Sequence, residues 1–124
     1  MASILSVLEK FRSEVPHFVS TDVVEIDSGM SLAGLSADPN FDAAAASASY
    51  AEVVKANSRA LDLLGIGATA TEDILITTGP AYILIRMLGK GHYHGVAISR
   101  AGTLGFARTM MQRYAPLLLQ ALNG

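Results

Sequence analysis

The spacing of apolar residues predicts a helix at the start of the chain. After Ser3, which can cap a helix, apolar residues recur four, three and four positions apart at Ile4, Leu8, Phe11 and Val15. The next residue is Pro16, and a proline pushes the residue before it out of the helical region. A short first helix with one buried stripe is therefore expected to end there.

A second helical pattern closes the chain. After Gly102, apolar residues recur three and four positions apart at Leu104, Ala107, Met111, Tyr114, Leu118 and Ala121. Pro116 lies inside this pattern, and a proline within a helix removes a hydrogen bond and crowds the preceding turn. The sequence predicts a kink or an early end of the helix near this residue.

Five strands are predicted between these helices. The first two, Phe18–Ile26 and Met30–Ser36, flank the turn signal Asp27-Ser28-Gly29. The other three are listed in chain order: Asp73–Thr78, Ala81–Leu88 and Tyr93–Ser99. Because Ala81–Leu88 is apolar on both faces apart from Arg86, we expect it in the centre of the sheet, with helices on either side.

The long helix Asp42–Leu64 has more apolar surface than one sheet can cover. One face carries large side chains, namely Tyr50, Val53, Val54, Leu61 and Leu64. Beside it runs a ridge of mostly small residues, made up of Ala45, Ser49, Ala56, Ala60 and Leu63. A helix with a single apolar stripe needs one packing partner, whereas the pattern of this helix predicts two. The ridge predicts contact with a second copy of the chain, and the alternative is an alanine-rich helix selected for helix propensity alone.

The charged residues of this helix occupy a narrow strip. Its members are Glu52, Lys55, Arg59 and Asp62, and they form two opposite-charge pairs three residues apart. The strip is either a solvated face or, if two such helices pair, a polar platform for a partner protein. Asn57 lies near the apolar face, where its amide would fix packing by a hydrogen bond or sit at the sheet margin.

Composition narrows the class of protein. The chain has 124 residues, no cysteine, 51% hydrophobic and 16% charged residues, and a net charge of −2. This size predicts one domain, and the high apolar content predicts an oligomer. The absence of a basic patch argues against nucleic-acid binding. The segment MASILSVLEKF lacks a signal-peptide pattern, and no apolar run reaches membrane-spanning length, so we expect a cytoplasmic protein without membrane insertion.

Candidate catalytic and ligand-binding groups are few. His92 and His94 alternate along a strand and could share a metal, but two ligands do not complete a zinc site, so we interpret them as exposed histidines near a loop. The segments Gly65-Ile66-Gly67 and Gly89-Lys90-Gly91 match no phosphate-binding motif and are interpreted as turns. Neighbouring Glu72 and Asp73 would point to opposite faces of a strand, which predicts a solvated strand entry. No catalytic residue, metal or cofactor is predicted.

The order helix, two strands, helix, three strands, helix resembles the roadblock family of dynein light chains and their bacterial relatives. The segments VVEIDSG and MSLAGLS resemble the first hairpin of that family, and Phe41–Leu64 resembles its second helix. EDILITTGPAYILIRML and HYHGVAIS resemble its three-stranded meander, and LGFARTMMQRYAPLLLQAL its closing helix. The resemblance covers essentially the whole chain.

The resemblance implies an α/β (α+β) domain with a five-stranded antiparallel sheet, the second helix on one face and the terminal helices on the other. It also implies a homodimer in which second helices pack together and third strands pair. The expected interface residues are Ala45, Ser49, Glu52, Ala56, Arg59, Ala60, Leu63, Ile74 and Ile76. Relatives act as non-enzymatic platforms for small Ras-like GTPases or for motor and signalling subunits, and the strip Glu52, Lys55, Arg59 and Asp62 is the candidate partner surface.

The alternative class of function is a small-ligand sensor or an enzyme. A pocket beneath the terminal helices, lined by Met110, Met111 and Tyr114, would make the protein a small-ligand sensor or an enzyme. Methionines in such positions more often fill a core.

Overall fold

The computed structural model describes residues 2–124, which form three helices and five strands. In chain order these are α1 (Ile4–Glu14), β1 (Phe18–Glu25), β2 (Met30–Ser36), α2 (Ala43–Leu63), β3 (Asp73–Thr77), β4 (Ala81–Leu88), β5 (His92–Ser99) and α3 (Leu104–Asn123). The strands form one antiparallel sheet in the order β2-β1-β5-β4-β3. The predicted fold class and element order are confirmed.

Helix starts follow the capping signals in the sequence. The Ser3 side chain accepts a hydrogen bond from the Ser6 amide at 3.1 Å, and the Asp42 side chain accepts one from the Ala45 amide at 3.3 Å. Each cap satisfies a backbone N–H that the helix itself leaves unpaired. Helix α1 ends at Glu14, two residues before Pro16, as predicted.

The first hairpin places α2 against the sheet. Gly29 adopts a φ of +70°, and a Cβ built on it would lie 2.8 Å from the Ala48 Cα of α2. This turn needs glycine both for its backbone conformation and for the close approach of the helix. The Ser47 hydroxyl donates a hydrogen bond to the Gly29 carbonyl at 2.9 Å, which fixes the same contact from the other side.

Helices α1 and α3 cover one face of the sheet and form the larger core. Its most buried large residues include Leu8, Phe11, Leu84, Met111 and Leu118. Two side-chain contacts between elements supplement this packing. Tyr114 of α3 donates a hydrogen bond to Glu14 of α1, and Arg108 of α3 pairs with Asp73 at the start of β3, with an Nε–Oδ2 distance of 3.2 Å.

Helix α2 covers the other face and forms a smaller core with Val24, Ile26, Ile85 and Tyr93. Its buried residues are Ser47, Ala51 and Val54. The predicted apolar face is confirmed only in part: Val54 is buried and Tyr50 packs against this core, whereas Val53 and Leu64 are 41% and 71% exposed. The sheet-facing side includes the small residues Ser47 and Ala51 in their place. Small side chains let the helix lie close to the sheet.

Two further predictions were wrong in detail. The middle strand of the sheet is β5, not β4, although β4 is interior and pairs with a strand on each side. Pro116 neither ends nor interrupts α3, which continues to Asn123. The residues of α3 on both sides of the proline, among them Tyr114 and Leu118, are buried in the core, so tertiary packing holds the helix through Pro116. Among residues 2–124, no helix combines the length and apolar character that crossing a bilayer requires.

Candidate functional site

The outward face of α2 carries small and apolar side chains that the single chain leaves exposed. The predicted small ridge points away from the sheet, so Ala45, Ser49, Ala56 and Ala60 are all exposed in the single chain. At the end of the helix Leu63 is 90% exposed. Large apolar side chains this open to water, grouped on one element, are typical of an interaction surface.

The exposed apolar surface continues past the helix. Leu64 and Ile66 are 71% and 59% exposed, and Val53, nearly three helical turns before Leu63, is 41% exposed. Gly65 and Gly67 follow the helix with positive φ angles of 74° and 113° and close it with backbone hydrogen bonds to Leu61 and Asp62. The turn therefore holds Ile66 beside the helix end rather than folding it into the core.

Strand β3 borders this surface as an edge of the sheet. It pairs with β4 on one side, and within residues 2–124 no strand pairs with its other side. Ile74 and Ile76 share the α2 face of the sheet and are half-buried. An edge strand of this kind carries free backbone donors and acceptors, which invite pairing with another strand.

A groove of about 570 Å³ separates the end of α2 from β3. Its walls include Leu61, Ile66 and Ile74. Across it the half-buried Asn57 side-chain amide donates a 2.6 Å hydrogen bond to the Thr71 hydroxyl and so connects α2 to the segment that precedes β3. Helix, groove and strand edge form one continuous surface.

The charged strip lies along the exposed side of α2, and only part of its predicted pairing is present. The Lys55 ammonium is 3.1 Å from the Glu52 carboxylate and also donates to the Asp27 carbonyl at 3.2 Å. No ion pair joins Arg59 and Asp62 in the described chain, and both are exposed. The strip is solvated in the single chain and leaves two charges free for a partner.

The predicted pocket beneath the terminal helices is absent from the described residues. Met110, Met111 and Tyr114 are 2%, 1% and 3% exposed and fill the core between α1, α3 and the sheet. The sensor hypothesis at that position is therefore wrong. A cavity does exist on the opposite face, beneath α2, and its buried Asp22 went unnoticed because a lone acid in a β-branched segment carries no recognisable motif.

The structure corrects the interpretation of the two histidines of β5 as exposed side chains. His94 is fully buried on β5 rather than exposed, while His92 is half-buried. Within residues 2–124, no three metal-ligating side chains of the His, Cys, Asp or Glu type come together.

Asp73 is not simply solvated, because its carboxylate pairs with Arg108. Arg86, which lies opposite Asp73 on β4, is half-buried and has no carboxylate partner among the described residues.

Comparison with known proteins identifies the class of fold. The chain superposes on MglB from Myxococcus xanthus with a TM-score of 0.85 at 14% identity, covering 97% of this chain and 94% of that one. A second structure, MglB with a tetrameric arrangement, gives a TM-score of 0.84 at 16% identity over 95% and 86% of the two chains. A Roadblock/LC7 domain from Streptomyces avermitilis gives 0.83 at 14% identity over 99% and 100%.

The chain therefore has the roadblock fold, and the resemblance seen in the sequence is confirmed at the level of fold. No family model matches the sequence, and no curated protein matches it significantly.

Proposed function

We propose that this protein is a non-enzymatic homodimer that serves as a binding platform for a regulatory partner protein. The observation that carries the proposal is the outward face of α2, where a small-residue ridge ends in the 90% exposed Leu63 beside the open edge of β3. In a monomer this apolar surface stays exposed to water and contributes no burial to the stability of the fold. A second copy covers it with the same surface, as a twofold dimer requires.

The small residues set the geometry of the proposed contact. Ala45, Ser49, Ala56 and Ala60 let two α2 helices approach closely, since short side chains keep the helix axes near the minimum distance. Glu52 and Arg59 flank the ridge and can form opposite-charge pairs across a twofold axis. Pairing of the two β3 edges, with Ile74 and Ile76 beneath the helices, would extend the sheet across both chains. One of the proteins with this fold, an MglB, forms a tetrameric arrangement, so self-association occurs on this scaffold.

The test of the dimer is a measurement of mass in solution. Light scattering coupled to size exclusion is expected to give twice the chain mass for the wild type and the single-chain mass for Ala56→Glu and Ala60→Arg. Ala101→Glu, at an exposed turn far from α2, is the matched control and is expected to remain dimeric. A wild-type monomer, or a dimer unchanged by both α2 variants, would refute the interface.

The proposed partner is a small Ras-like GTPase, and the proposed contact is the charged strip on α2. Dimerisation would place two strips side by side and present Lys55 and Asp62 from both copies. Binding requires no catalytic group in this chain. The support for this class of partner is the roadblock fold together with the resemblance described above, since members of that family present such platforms to GTPases.

A binding measurement tests the proposed contact between the GTPase and the charged strip. Small GTPases from the source organism, loaded with GDP or with a non-hydrolysable GTP analogue, are measured against the immobilised dimer. We expect nucleotide-dependent binding that Asp62→Lys weakens at least tenfold without changing the dimer mass, while Glu9→Lys on α1 has no effect. Equal binding by Asp62→Lys would exclude the strip, and absence of GTPase binding would exclude this partner while the dimer stands.

A further inference from the structure

A half-open cavity of about 280 Å³ lies between the first half of α2 and the sheet, on the inner side of the helix. Apolar walls come from Phe41, Ala46, Ile83, Ile85 and Ala97. Polar groups come from Ser20, Asp22, Asn40, Asp42, Tyr50 and Tyr93. A mostly apolar wall with a few convergent polar groups is the usual construction of a small-molecule site.

Asp22 forms the polar floor of this cavity. It is 6% exposed, and both of its cross-strand neighbours are glycines, Gly34 on β2 and Gly95 on β5. A Cβ built on Gly95 would overlap the Asp22 Oδ1 atom, and one built on Gly34 would lie 3.3 Å from the Asp22 Cβ. The two glycines therefore make room for a carboxyl group that any other residue would displace.

The Asp22 carboxyl group has no partner within the described chain. No hydrogen bond or ion pair reaches it from residues 2–124. The nearby Tyr93 hydroxyl, which would be a natural donor, is used elsewhere and donates to the Ser47 carbonyl at 3.2 Å. The Asp22 oxygens are not among the fully enclosed side-chain atoms that lack a partner, so they face the half-open cavity. A largely buried carboxylate that opens on a mostly apolar cavity favours a ligand that supplies a hydrogen-bond donor.

A second unpartnered group lies beside it. Ser20 precedes Asp22 by two residues on the same strand, so both side chains point into the cavity. Ser20 is 3% exposed, and its hydroxyl makes no hydrogen bond to residues 2–124. No lysine or arginine lines the cavity, so the chain supplies no cation of its own.

We propose that this cavity binds a small organic cation, a protonated primary amine carrying a compact apolar group. The ammonium group donates hydrogen bonds to the Asp22 carboxylate and the Ser20 hydroxyl. The apolar group packs between Ile83, Ile85 and Phe41. A cavity of about 150 Å³ holds a benzene ring, so this one has room for a ring with a short amine arm. The site lies on the inner side of α2 and does not depend on the proposed dimer.

The affinity of the cavity for an ammonium ligand should depend on pH. Burial raises the pKa of Asp22 to about 7, whereas a free carboxyl group has a pKa of 3.8. The other ionisable groups that line the cavity are Asp42 and Tyr50 on α2 and Tyr93 on β5, and the pKa of Tyr93 is raised above its ordinary value by burial and by the Asp22 charge. An ammonium ligand binds the ionised carboxylate, so its affinity falls about tenfold for each pH unit below the pKa of Asp22.

The experiment uses benzylamine, which stays protonated between pH 5.5 and 8, and full-length isotope-labelled protein. Titration at pH 8 is expected to shift the backbone amide signals of Ser20, Asp22 and Gly95 in a saturable manner. Benzyl alcohol, which has nearly the same shape without the charge, is expected to bind at least tenfold more weakly. At pH 5.5 the affinity for benzylamine should drop at least tenfold.

Two variants test the contribution of the Asp22 carboxylate to binding separately from that of the cavity volume. Asp22→Asn keeps the shape and should lower benzylamine affinity at least tenfold, while Asp27→Asn, an exposed carboxylate on the hairpin turn, should leave it unchanged. Ala46→Leu fills the cavity, keeps Asp22, and should also abolish saturable binding. The proposal is overturned if benzylamine produces no saturable shift at these amides, if it binds Asp22→Asn or Ala46→Leu as tightly as the wild type, or if benzyl alcohol binds equally well.

Discussion

The Thr21 hydroxyl lies 2.8 Å from Nε2 of His94, within the core that α1 and α3 form over the sheet. The same hydroxyl donates to the Gly95 carbonyl at 2.9 Å, so its proton is used and Nε2 must carry the proton of the histidine contact. Phe11 packs edge-on against the ring with centroids 4.9 Å apart. His94 is thus a neutral core side chain, and Nδ1 has no hydrogen-bond partner among the described residues.

Replacing His94 by alanine should destabilise the protein. The variant loses the Thr21 hydrogen bond and the Phe11 contact and leaves a cavity, which together are expected to cost about 2–4 kcal/mol. Urea unfolding at a fixed protein concentration measures the change. His92→Ala is the control, because this half-buried side chain makes no hydrogen bond in the described chain and should cost less than about 1 kcal/mol. Equal effects of the two variants would contradict the buried role of His94.

Two buried groups on neighbouring strands should make opposite contributions to the pH dependence of stability. Burial and the nearby Arg86 charge lower the pKa of His94 to about 3, so below pH 6.5 the unfolded chain binds a proton that the folded chain does not. Falling pH therefore destabilises the fold through His94. Asp22 acts in reverse, since between pH 7 and 3.8 the folded chain holds a proton that the unfolded chain has lost.

Each contribution amounts to about 1.4 kcal/mol per pH unit, and their signs cancel between about pH 4 and 6. In Asp22→Asn the compensation is gone, so stability should fall by about 1.4 kcal/mol per pH unit more steeply than in the wild type as the pH decreases. Urea unfolding of both proteins at pH 4.5, 5.5 and 6.5 measures the difference in slope. Parallel profiles would show that Asp22 does not titrate with a raised pKa.

The hydrogen bond from Tyr114 to Glu14 connects the two terminal helices. Burial and the Glu14 contact raise the pKa of Tyr114 to about 12, so its hydroxyl remains a donor at ordinary pH. Tyr114→Phe keeps the ring in the core and removes the bond, which should cost about 0.5–1.5 kcal/mol in thermal or urea unfolding. Tyr82→Phe is the control, because no hydrogen bond of the Tyr82 hydroxyl to residues 2–124 is present. A neutral Tyr114→Phe variant would show that the bond contributes nothing.

Local patterns were sufficient to predict most of the fold. The caps at Ser3 and Asp42, the turn at Gly29 and the apolar spacing of α1 and α3 act over a few residues, and the bounds they predicted lie within two residues of the observed ones. The failures involve contacts over long sequence distances. Pro116 was expected to disturb α3, but the packing of α3 in the core on both sides of this residue holds the helix together. His94 looked exposed because the residues that contact its ring, Phe11 of α1 and Thr21 of β1, come from the other end of the chain.

The candidate site was predictable only in part, for a related reason. The ridge on α2 was visible as a periodic pattern, and its exposure in the single chain agrees with that pattern. The side of α2 that faces the sheet was predicted in part, since Val54 and Tyr50 pack on the sheet as expected, but the small residues Ser47 and Ala51 share that contact. Asp22 and its flanking glycines come from three strands, and only the strand order brings Gly34, Asp22 and Gly95 into one row.

The exposed end of α2 allows an interface test that does not disturb the core. Leu63 is 90% exposed, so Leu63→Asp removes almost no burial within one chain, and the isolated chain should lose less than about 0.5 kcal/mol of stability. If Leu63 is buried between two copies, the same change places two carboxylates in an apolar contact and should weaken the dimer at least tenfold. Sedimentation equilibrium measures the dissociation constant. Met30→Asp, on β2 and 62% exposed, is the matched control and should leave that constant unchanged. A Leu63→Asp dimer as tight as the wild type would mean that this end of α2 faces water in the assembly as well.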